Sequence, residues 1–341
     1  MLRLYFRLSC GVCKSDRELN GKVVIVTGGN TGIGKELVRD LAKRQAKIIL
    51  ACRSMERGKE AMVDIISETG NQEIYVKKCD ISSLQSVRQF CEDVLDSEDQ
   101  LDVLVCFAGS GAPFGRHLTA DGVEMQFATN HLGHFLLVNL LLDLMKATPN
   151  SRIVITSSSA HLFGKMDLEN ISTFDSYISH PFVSYCNTKL ANIMFMKELH
   201  ERLDGTGVAV NAVHPGTIYT NGIRYNKIWY IKLFLTFIAF LYNKSLEEGA
   251  QTLVYLAVSH DVDGISGQYF TDCKSAKYNP LADDQNLRKQ LWKLSAQLCD
   301  SQLKKIFKRK PDDFGHLRFG RNDGQSRVKY NDPDYGHMRF G

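Results

Sequence analysis

Tyr185 and Lys189 stand four residues apart in the segment YCNTKLANIMFMKEL and are the clearest candidates for an acid–base centre. The segment has the pattern of an amphipathic helix, in which residues at i and i+4 share one face. A free tyrosine has a pKa of about 10 and exchanges protons poorly at neutral pH. A cation held beside it favours the phenolate and makes the phenol a useful acid or base. The same spacing also arises by chance on surface helices, so the pair needs support from other motifs.

A glycine-rich segment after the first apolar strand is a candidate cofactor site. It reads TGGNTGIG from Thr27 to Gly34 and is followed by a helical pattern. This spacing allows a tight turn and a close approach of the backbone to a pyrophosphate, which the N–H groups of the following helix would face. A glycine cluster alone could be an ordinary loop, but its place between a strand and a helix predicts a dinucleotide site. The predicted contacts are Gly28, Asn30, Thr31, Gly32, Ile33 and Gly34.

The residues after the second and third apolar runs bear on which nucleotide would bind. A carboxylate after the second strand would select NAD by binding the ribose hydroxyls, but this chain has Arg53 there. The guanidinium of Arg53 could hold a 2′-phosphate, although it could also be a solvated side chain at a strand end. We therefore predict NADP(H). Asp80, after the third run, could accept a hydrogen bond from the adenine amino group or cap the next helix.

Apolar runs rich in β-branched residues alternate with longer amphipathic patterns. The predicted strands are 22–28, 46–53, 73–80, 101–109, 152–158 and 208–215, and 268–270 is a candidate for a last one. The predicted helices are 32–44, 55–68, 83–98, 121–146, 185–203 and 246–258. Continuous apolar strands separated by helices predict a single-domain α/β fold, a doubly wound (Rossmann) parallel sheet with helices on both faces.

Two polar residues, Asn130 and Ser158, stand in apolar surroundings. Asn130 lies inside ATNHLGHFLLVNLLLDLM, where an asparagine lowers helix propensity, and Ser158 follows the fifth predicted strand. Taken singly, either could be structural. With TGGNTGIG, NHLGHFLL, RIVITSSSAH, YCNTK and NAVHPGT in this order, residues 20–300 resemble the short-chain dehydrogenase/reductase family. The segments ACRS, NHLGHFLL and YCNTKLAN resemble its retinol dehydrogenase-like branch.

The resemblance implies an oxidoreductase with the tetrad Asn130, Ser158, Tyr185 and Lys189. Tyr185 would exchange a proton with the substrate oxygen, to which Ser158 would hydrogen-bond. Lys189 would lower the pKa of Tyr185 and hold the nicotinamide ribose, and Asn130 would position a water on the proton path. Ser158 is preferred to its neighbours by alignment of the SS-x-A-H pattern. The implied cofactor contacts also include Ala108, Gly109, Tyr185, Lys189, Pro215, Gly216 and Thr217.

The chain departs from the family pattern after the fourth strand. Where the family usually has N-N-A-G, this chain reads CFAG from Cys106 to Gly109. The missing amides normally tie the central sheet to its neighbours, so cofactor affinity and strand rigidity are in question. Nearby, His131 and His134 are three residues apart without a third ligand in the pattern, which favours packing over a metal site.

A segment of about 217–245 would cover the substrate in this family. Within it, residues 228–242 read IWYIKLFLTFIAFLY, which is shorter than the ~20 residues needed to span a bilayer. Because this covering segment is so apolar, it favours a lipophilic alcohol, aldehyde or ketone as substrate, such as a retinoid, isoprenoid or steroid. The same segment could lie on a membrane surface, or be buried in the core or at a homodimer interface.

Charge and cysteine usage narrow the partners and the compartment. The 341 residues carry a net charge of +4, of which residues 301–341 carry +5 and the rest −1, so nothing requires nucleic acid. Nine scattered cysteines favour reduced thiols and a cytoplasmic location, including the cytosolic face of the endoplasmic reticulum or of lipid droplets. No signal peptide is evident. Residues 1–19, with Cys10 and Cys13, are predicted to be a disordered leader.

The segment 301–341 has a different pattern from the rest of the chain. DFGHLRFG at 313–320 is nearly repeated as DYGHMRFG at 334–341, and a basic run, KRK, precedes both at 308–310. The surrounding sequence is polar without a hydrophobic period, which predicts a disordered tail. The two copies resemble the amidated sulfakinin-type neuropeptides of insects. The alternatives to an enzyme are therefore a neuropeptide precursor, with the tail as a fusion or gene-model error, and a cofactor-binding scaffold without catalysis.

Overall fold

The computed structural model describes residues 10–111, 117–172, 181–216 and 244–309, with side chains up to residue 300. Thr217, the apolar segment 228–242 and both repeats of the tail lie outside these ranges.

Within the described residues, eight strands form one sheet. They are β1 (Val23–Thr27), β2 (Lys47–Cys52), β3 (Ile74–Lys78), β4 (Val103–Cys106), β5 (Arg152–Thr156), β6 (Ala209–His214), β7 (Tyr269–Thr271) and β8 (Lys274–Ser275). Their order is β3-β2-β1-β4-β5-β6-β7-β8. Neighbours are parallel except for the β7–β8 hairpin. The order reverses between β1 and β4, which defines the switch point where such sheets bind ligands.

Helices cover both faces of the sheet. They are α1 (Gly32–Lys43), α2 (Met55–Thr69), α3 (Leu84–Leu95), α4 (Met125–Phe127), a π-helical turn (Ala128–Leu132), α5 (Gly133–Ala147), α6 (Pro181–Arg202), α7 (Leu246–Val258) and α8 (Gln285–Arg309). Alternate residues of β1 enter different cores. Val23 and Ile25 pack on the side of α3, α5 and α6, and Val24 and Val26 on the side of α1 and α7. Burial on both faces explains why the central strands are uniformly apolar.

The predicted fold class is confirmed, and the differences lie at the ends of elements. The strand predicted over 101–109 ends at Cys106, because the next backbone N–H groups bond to the side-chain hydroxyl of Thr27 instead of to the backbone of a neighbouring strand. The helix α8 and the short strand β8 were not predicted, and α8 runs across the predicted boundary at residue 300. None of the helices in the described ranges is both long enough and apolar enough to span a bilayer.

The prediction of a disordered leader is wrong for residues 10–19. The backbone N–H of Cys13 donates to the side chain of Gln251 on α7 at 3.0 Å. The guanidinium of Arg44 donates to the carbonyl of Ser15 at 2.9 Å, and Leu19 is buried in the core. Backbone hydrogen bonds and one apolar anchor therefore fix a segment whose composition alone suggested no structure.

Candidate active site

The turn from β1 into α1 leaves room for a ligand against the backbone. Gly28 has φ +71°, and a Cβ atom there would lie 2.9 Å from the Cα of Ala108. A Cβ atom on Gly34 would lie 2.3 Å from the carbonyl oxygen of Gly28. Thr31 precedes α1 in an extended conformation and makes no side-chain capping bond in the described chain. The first N–H groups of α1 are therefore available to an anion, as a pyrophosphate site requires.

A cleft of about 520 Å³ runs from this turn past the ends of β2 and β3. Seven of the predicted cofactor contacts line it, namely Gly28, Asn30, Thr31, Arg53, Asp80, Ala108 and Gly109. Gly32, Ile33 and Gly34 form the first turn of α1 behind the cleft. The sequence prediction missed Arg57, which is exposed on the first turn of α2 and lines the same cleft as Arg53. The available signal was a second basic residue soon after Arg53, in the first turn of the predicted helix 55–68.

The carboxylate of Asp80 stabilises the turn after β3. It accepts hydrogen bonds from the N–H of Ser82 at 3.1 Å and from its hydroxyl at 2.7 Å. The cap of the next helix is Ser83, whose hydroxyl accepts from the N–H of Ser86. The alternative of Asp80 as a helix cap is therefore wrong, and its carboxylate belongs to a turn in the wall of the cleft.

The helix α6 brings the Tyr185–Lys189 pair to the carboxyl end of β5. The Nζ atom of Lys189 lies 5.6 Å from the centre of the Tyr185 ring, and the Ser158 side chain hydrogen-bonds to Tyr185. The hydroxyl of Ser157 donates to the backbone carbonyl of Lys189 at 2.7 Å, and Ser159 is exposed. The structure therefore brings Ser158, and not its neighbours, to the phenol.

Burial governs the protonation of the pair. Desolvation lowers the pKa of Lys189 to about 8, and its Nζ donates to the carbonyl of Thr156 at 3.3 Å. Desolvation also raises the pKa of Tyr185, while the bond to Ser158 acts in the opposite direction. The predicted effect of Lys189 on the pKa of Tyr185 stays a prediction, since the desolvated ammonium of Lys189 is directed at the carbonyl of Thr156.

Asn130 lies in the π-helical turn Ala128–Leu132 and joins two parts of the site. Its Oδ1 accepts from the N–H of Ser110 at 2.7 Å, and its Nδ2 donates to the carbonyl of Ser110 and to Thr188 Oγ1 on α6. Its own carbonyl accepts from Nδ2 of Asn192 at 2.9 Å. The amide thus links the loop after β4 to the helix that carries Tyr185. Its predicted role in positioning a water remains a prediction.

The hydroxyl of Thr27 holds the backbone of the segment 106–109. Its Oγ1 accepts from the N–H groups of Phe107 at 2.9 Å and Ala108 at 3.0 Å. His134 Nε2 lies 2.9 Å from the same hydroxyl, and burial lowers the pKa of His134 to about 3, so this histidine is neutral. His131 bonds elsewhere, to the side chains of Asn192 and Ser295. The two histidines therefore serve separate packing contacts.

The predicted contacts Pro215 and Gly216 follow β6 and are not among the residues that line the cleft. Gly216 has φ +101°, and a Cβ atom there would lie 2.5 Å from Cδ of Lys244. Pro215 precedes it after His214, whose pKa burial lowers to about 4. Thr217, the last predicted contact, lies outside the described residues.

The strand order, the glycine-lined cleft and the serine–tyrosine–lysine group together are those of a dinucleotide-binding α/β protein. The short chain dehydrogenase family model matches residues 22–229. Retinol dehydrogenase 11 of Mus musculus is 42% identical over 294 residues, which cover 85% of this chain and 90% of that protein. Retinol dehydrogenase 13 of Homo sapiens is 42% identical over 292 residues, or 84% of this chain and 87% of that protein. The chain belongs to the short chain dehydrogenase family.

Solved structures agree with the fold. An uncharacterised protein from Mycobacterium paratuberculosis has a TM-score of 0.68 and 31% identity, with 85% of this chain and 98% of that chain covered. L-Sorbose reductase from Gluconobacter frateurii, solved with NADPH and L-sorbose, has a TM-score of 0.60 and 23% identity over 75% of this chain and 96% of that one. The sulfakinin family model matches residues 311–319 and 333–340. The resemblance of the tail to sulfakinins is therefore confirmed at the level of sequence.

Proposed function

We propose that the protein is an NADP(H)-dependent oxidoreductase that interconverts a lipophilic alcohol, with a retinoid as the first candidate, and its aldehyde or ketone. The observation that carries this proposal is the meeting of Ser158, Tyr185 and Lys189 beside the glycine-lined cleft. The similarity to retinol dehydrogenases supports the substrate class. The apolar composition of residues 217–245 supports it independently.

The residues of the cleft fit a dinucleotide. The backbone at Gly28 and the start of α1 would hold the pyrophosphate, because the first N–H groups of α1 have no side-chain cap among the described residues. Arg53 and Arg57 would hold a 2′-phosphate, and neither position offers the carboxylate that would favour NAD. Lys189 would hold the nicotinamide ribose. When bound, the cofactor supplies or accepts the hydride.

The protein's own residues would carry out the proton transfer. In alcohol oxidation, the Tyr185 phenolate takes the proton of the substrate hydroxyl, and in reduction the phenol returns it. Ser158 donates a hydrogen bond to the reacting oxygen. Lys189, with a pKa of about 8, is charged at neutral pH and favours the phenolate once Tyr185 begins to ionise. Asn130 holds the loop at Ser110 against α6 and so keeps the two walls of the site together.

The proposed location in the cell follows from the lipophilic character of the proposed substrate. A lipophilic substrate partitions into membranes, so we propose that residues 228–242 contact the cytosolic surface of the endoplasmic reticulum or of lipid droplets. We place one catalytic domain over residues 10–309, since the segment 10–19 packs against the rest of it. A homodimer is a further proposal, which light scattering on the purified chain would check.

Cofactor choice gives the sharpest test of the proposed function. We expect the full chain to reduce all-trans-retinaldehyde with a kcat/KM for NADPH at least about tenfold above that for NADH, since a guanidinium–phosphate contact contributes about 1.5–3 kcal/mol. Arg53→Ala and Arg57→Ala should each raise the KM for NADPH and leave the rate with NADH unchanged. Lys59→Ala, an exposed basic residue of α2 outside the cleft, is the matched control. Equal use of the two cofactors would refute the NADP(H) assignment, and no turnover of any lipophilic carbonyl would refute the enzyme.

The tail supports a second candidate function. Two matches to the sulfakinin model, at 311–319 and 333–340, favour a peptide precursor as the source of this segment. We propose that the tail is an appended or mis-joined segment and not part of the enzyme. Sequencing of the transcript across 303–311 decides between a fusion and a gene-model error. A single transcript together with amidated peptides in tissue extracts would establish the precursor instead.

A further inference from the structure

His161 lies directly behind the Ser158 loop. It is fully buried in the 3₁₀ helix Ser159–Phe163, which follows β5. Its backbone N–H donates to the carbonyl of Ser158 at 3.0 Å, and its ring Nδ1 bonds to the same oxygen. A carbonyl oxygen only accepts, so Nδ1 carries the ring proton and Nε2 is the unprotonated nitrogen. Two donors of one residue thus hold the backbone of Ser158.

The position of the imidazole is itself fixed from outside the loop. The side-chain amide of Asn279 donates to the carbonyls of His161 and Gly164, both at 3.1 Å. The ring meets Tyr269 of β7 edge-on, with 4.8 Å between ring centres. These contacts restrict the His161 ring to one orientation, so that the ring is a rigid support for Ser158.

Ser158 depends on this support because its other local contact is weak. Its hydroxyl accepts from the N–H of Ala160 at 3.3 Å and also bonds to Tyr185. Rotation of the Ser158 backbone would carry the hydroxyl away from the phenol, and its neighbour Ser157 is committed to the backbone of Lys189. The orientation of one peptide group therefore decides whether serine and tyrosine meet.

We propose that His161 is a positioning residue of the active site, which holds the Ser158 carbonyl so that the Ser158 hydroxyl stays on Tyr185. The inference rests on the proposed function, because it assigns this contact a part in proton exchange with a substrate. It predicts that the ring nitrogen Nδ1, and not the bulk of the ring, is what the reaction needs.

The titratable groups around Tyr185 and His161 show which residue a pH-dependent change in the rate belongs to. Tyr185 is faced by Ser158, by Cys186, whose pKa burial raises to about 11, and by Lys189. His161 is faced by Tyr269 from β7 and by His214 from β6. Burial raises the pKa of the Tyr269 phenol and lowers that of the His214 ring to about 4. Because the His214 ring and the Tyr269 phenol both stay neutral at neutral pH, a moving limb on the alkaline side of the rate profile belongs to Tyr185 or Lys189.

Three substitutions in the full chain distinguish the contribution of the Nδ1 hydrogen bond from that of the bulk of the imidazole ring. The side chain of H161N has an amide N–H close to the position of the His161 Nδ1 atom. The side chains of H161Q and H161F have no N–H at that position. In retinol oxidation with NADP⁺, H161N should keep kcat within about threefold. H161Q and H161F should lower kcat about tenfold or more at unchanged KM for NADP⁺. Their alkaline rise should move up by about one pH unit, because loss of the Ser158 bond raises the pKa of Tyr185.

The control is His260→Phe, an exposed histidine remote from Ser158, which should behave as the unmodified chain. Wild-type kinetics in H161F would overturn the inference and leave the proposed function intact. Equal losses in all three variants, without a pH shift, would show a merely structural role and would overturn it too.

A second measurement needs no turnover. In the full chain labelled with ¹⁵N-histidine, the resonances lost in H161N should report a neutral ring protonated at Nδ1 at pH 6.5. An Nε2–H tautomer or a charged ring would overturn the inference whatever the activity. A chain with the expected tautomer that fails to oxidise any lipophilic alcohol would refute the proposed function alone.

Discussion

At the scale of single residues, Tyr185 is under two opposed influences. Burial raises the pKa of its phenol, and the hydrogen bond from Ser158 lowers it. The nearby Lys189 is desolvated, and this brings its own pKa to about 8. Burial therefore determines the pKa of both Tyr185 and Lys189. Small changes in the residues that contact them should change the reaction rate more than they change the stability of the fold.

Removal of the phenolic oxygen should stop proton exchange. We expect Tyr185→Phe to lower kcat for retinaldehyde reduction by about 10²–10⁴-fold, the usual contribution of a positioned acid. The Kd for NADPH, measured by fluorescence titration, should stay within a small factor. Tyr75→Phe, on the half-exposed face of β3, is the matched control. Undiminished turnover in Tyr185→Phe would contradict the assigned chemistry.

At the scale of elements, the turn between β1 and α1 and the segment 107–109 form one unit. Gly28 packs against the backbone of Ala108, and Thr27 bonds to the N–H groups of that segment. The floor of the cleft is therefore built where β1 and β4 separate. Its shape depends on contacts between two elements and not on either sequence alone.

A methyl group at Gly28 should abolish cofactor binding. Gly28→Ala places Cβ 2.9 Å from the Cα of Ala108 at φ +71°, so the backbone must shift. Gly70→Ala has a similar φ of +73° with nothing within 4 Å of the new Cβ, and so serves as the control for strain alone. Both variants should lose about 1 kcal/mol of stability from the positive φ, and Gly28→Ala should lose more because its backbone must shift. Only the first should lose NADPH binding by calorimetry; similar affinities in both would count against this cofactor site.

The hydroxyl of Thr27 offers a second test at this scale. Thr27→Val keeps the shape but leaves the N–H of Ala108 without its acceptor, whereas the N–H of Phe107 keeps the carbonyl of Val105. The expected cost is about 1–3 kcal/mol of unfolding free energy for the orphaned group, with weaker NADPH binding. Thr27→Ser keeps the oxygen and should restore most of both. Chemical denaturation measures the first quantity, and a Val variant as stable as the Ser variant would show that the tie is unimportant.

At the scale of the whole molecule, buried neutral histidines make the fold sensitive to acid. Burial lowers the pKa of His131 to about 4, of His134 to about 3 and of His214 to about 4. In the unfolded chain these rings titrate near their ordinary value of about 6.5. Between the two values the unfolded state binds more protons, so stability is lost as pH falls.

We expect the free energy of unfolding to fall between pH 6.5 and pH 5, before most carboxylates titrate. The limiting slope is about 1.4 kcal/mol per pH unit for each of the three histidines. Urea unfolding at several pH values measures it. His131→Phe should reduce the slope by about 1.4 kcal/mol per pH unit, which is the share of one ring. A flat profile in the unmodified chain would contradict the buried neutral rings.

Periodicity and motif spacing determined the class of the fold. The sequence predicted the parallel sheet, seven of the strands and the glycine turn, because apolar period and glycine placement are local properties. It missed α8, whose charged residues dilute the apolar period, and placed the end of β4 three residues late. It also took the segment 10–19 as unstructured, since the contacts with Gln251 and Arg44 join residues far apart in the chain.

The sequence by itself determined the residue types of the site, including the Tyr185–Lys189 spacing and the arginine after β2. The resemblance to the family also chose Ser158 among three adjacent serines. Only the tertiary structure decided that Arg57 shares the cleft with Arg53, that Thr27 holds the backbone at 107–108 and that His161 lies behind Ser158. The physical reason is that hydrogen-bond partners and burial depend on which elements meet in space, and spacing along one chain does not encode that.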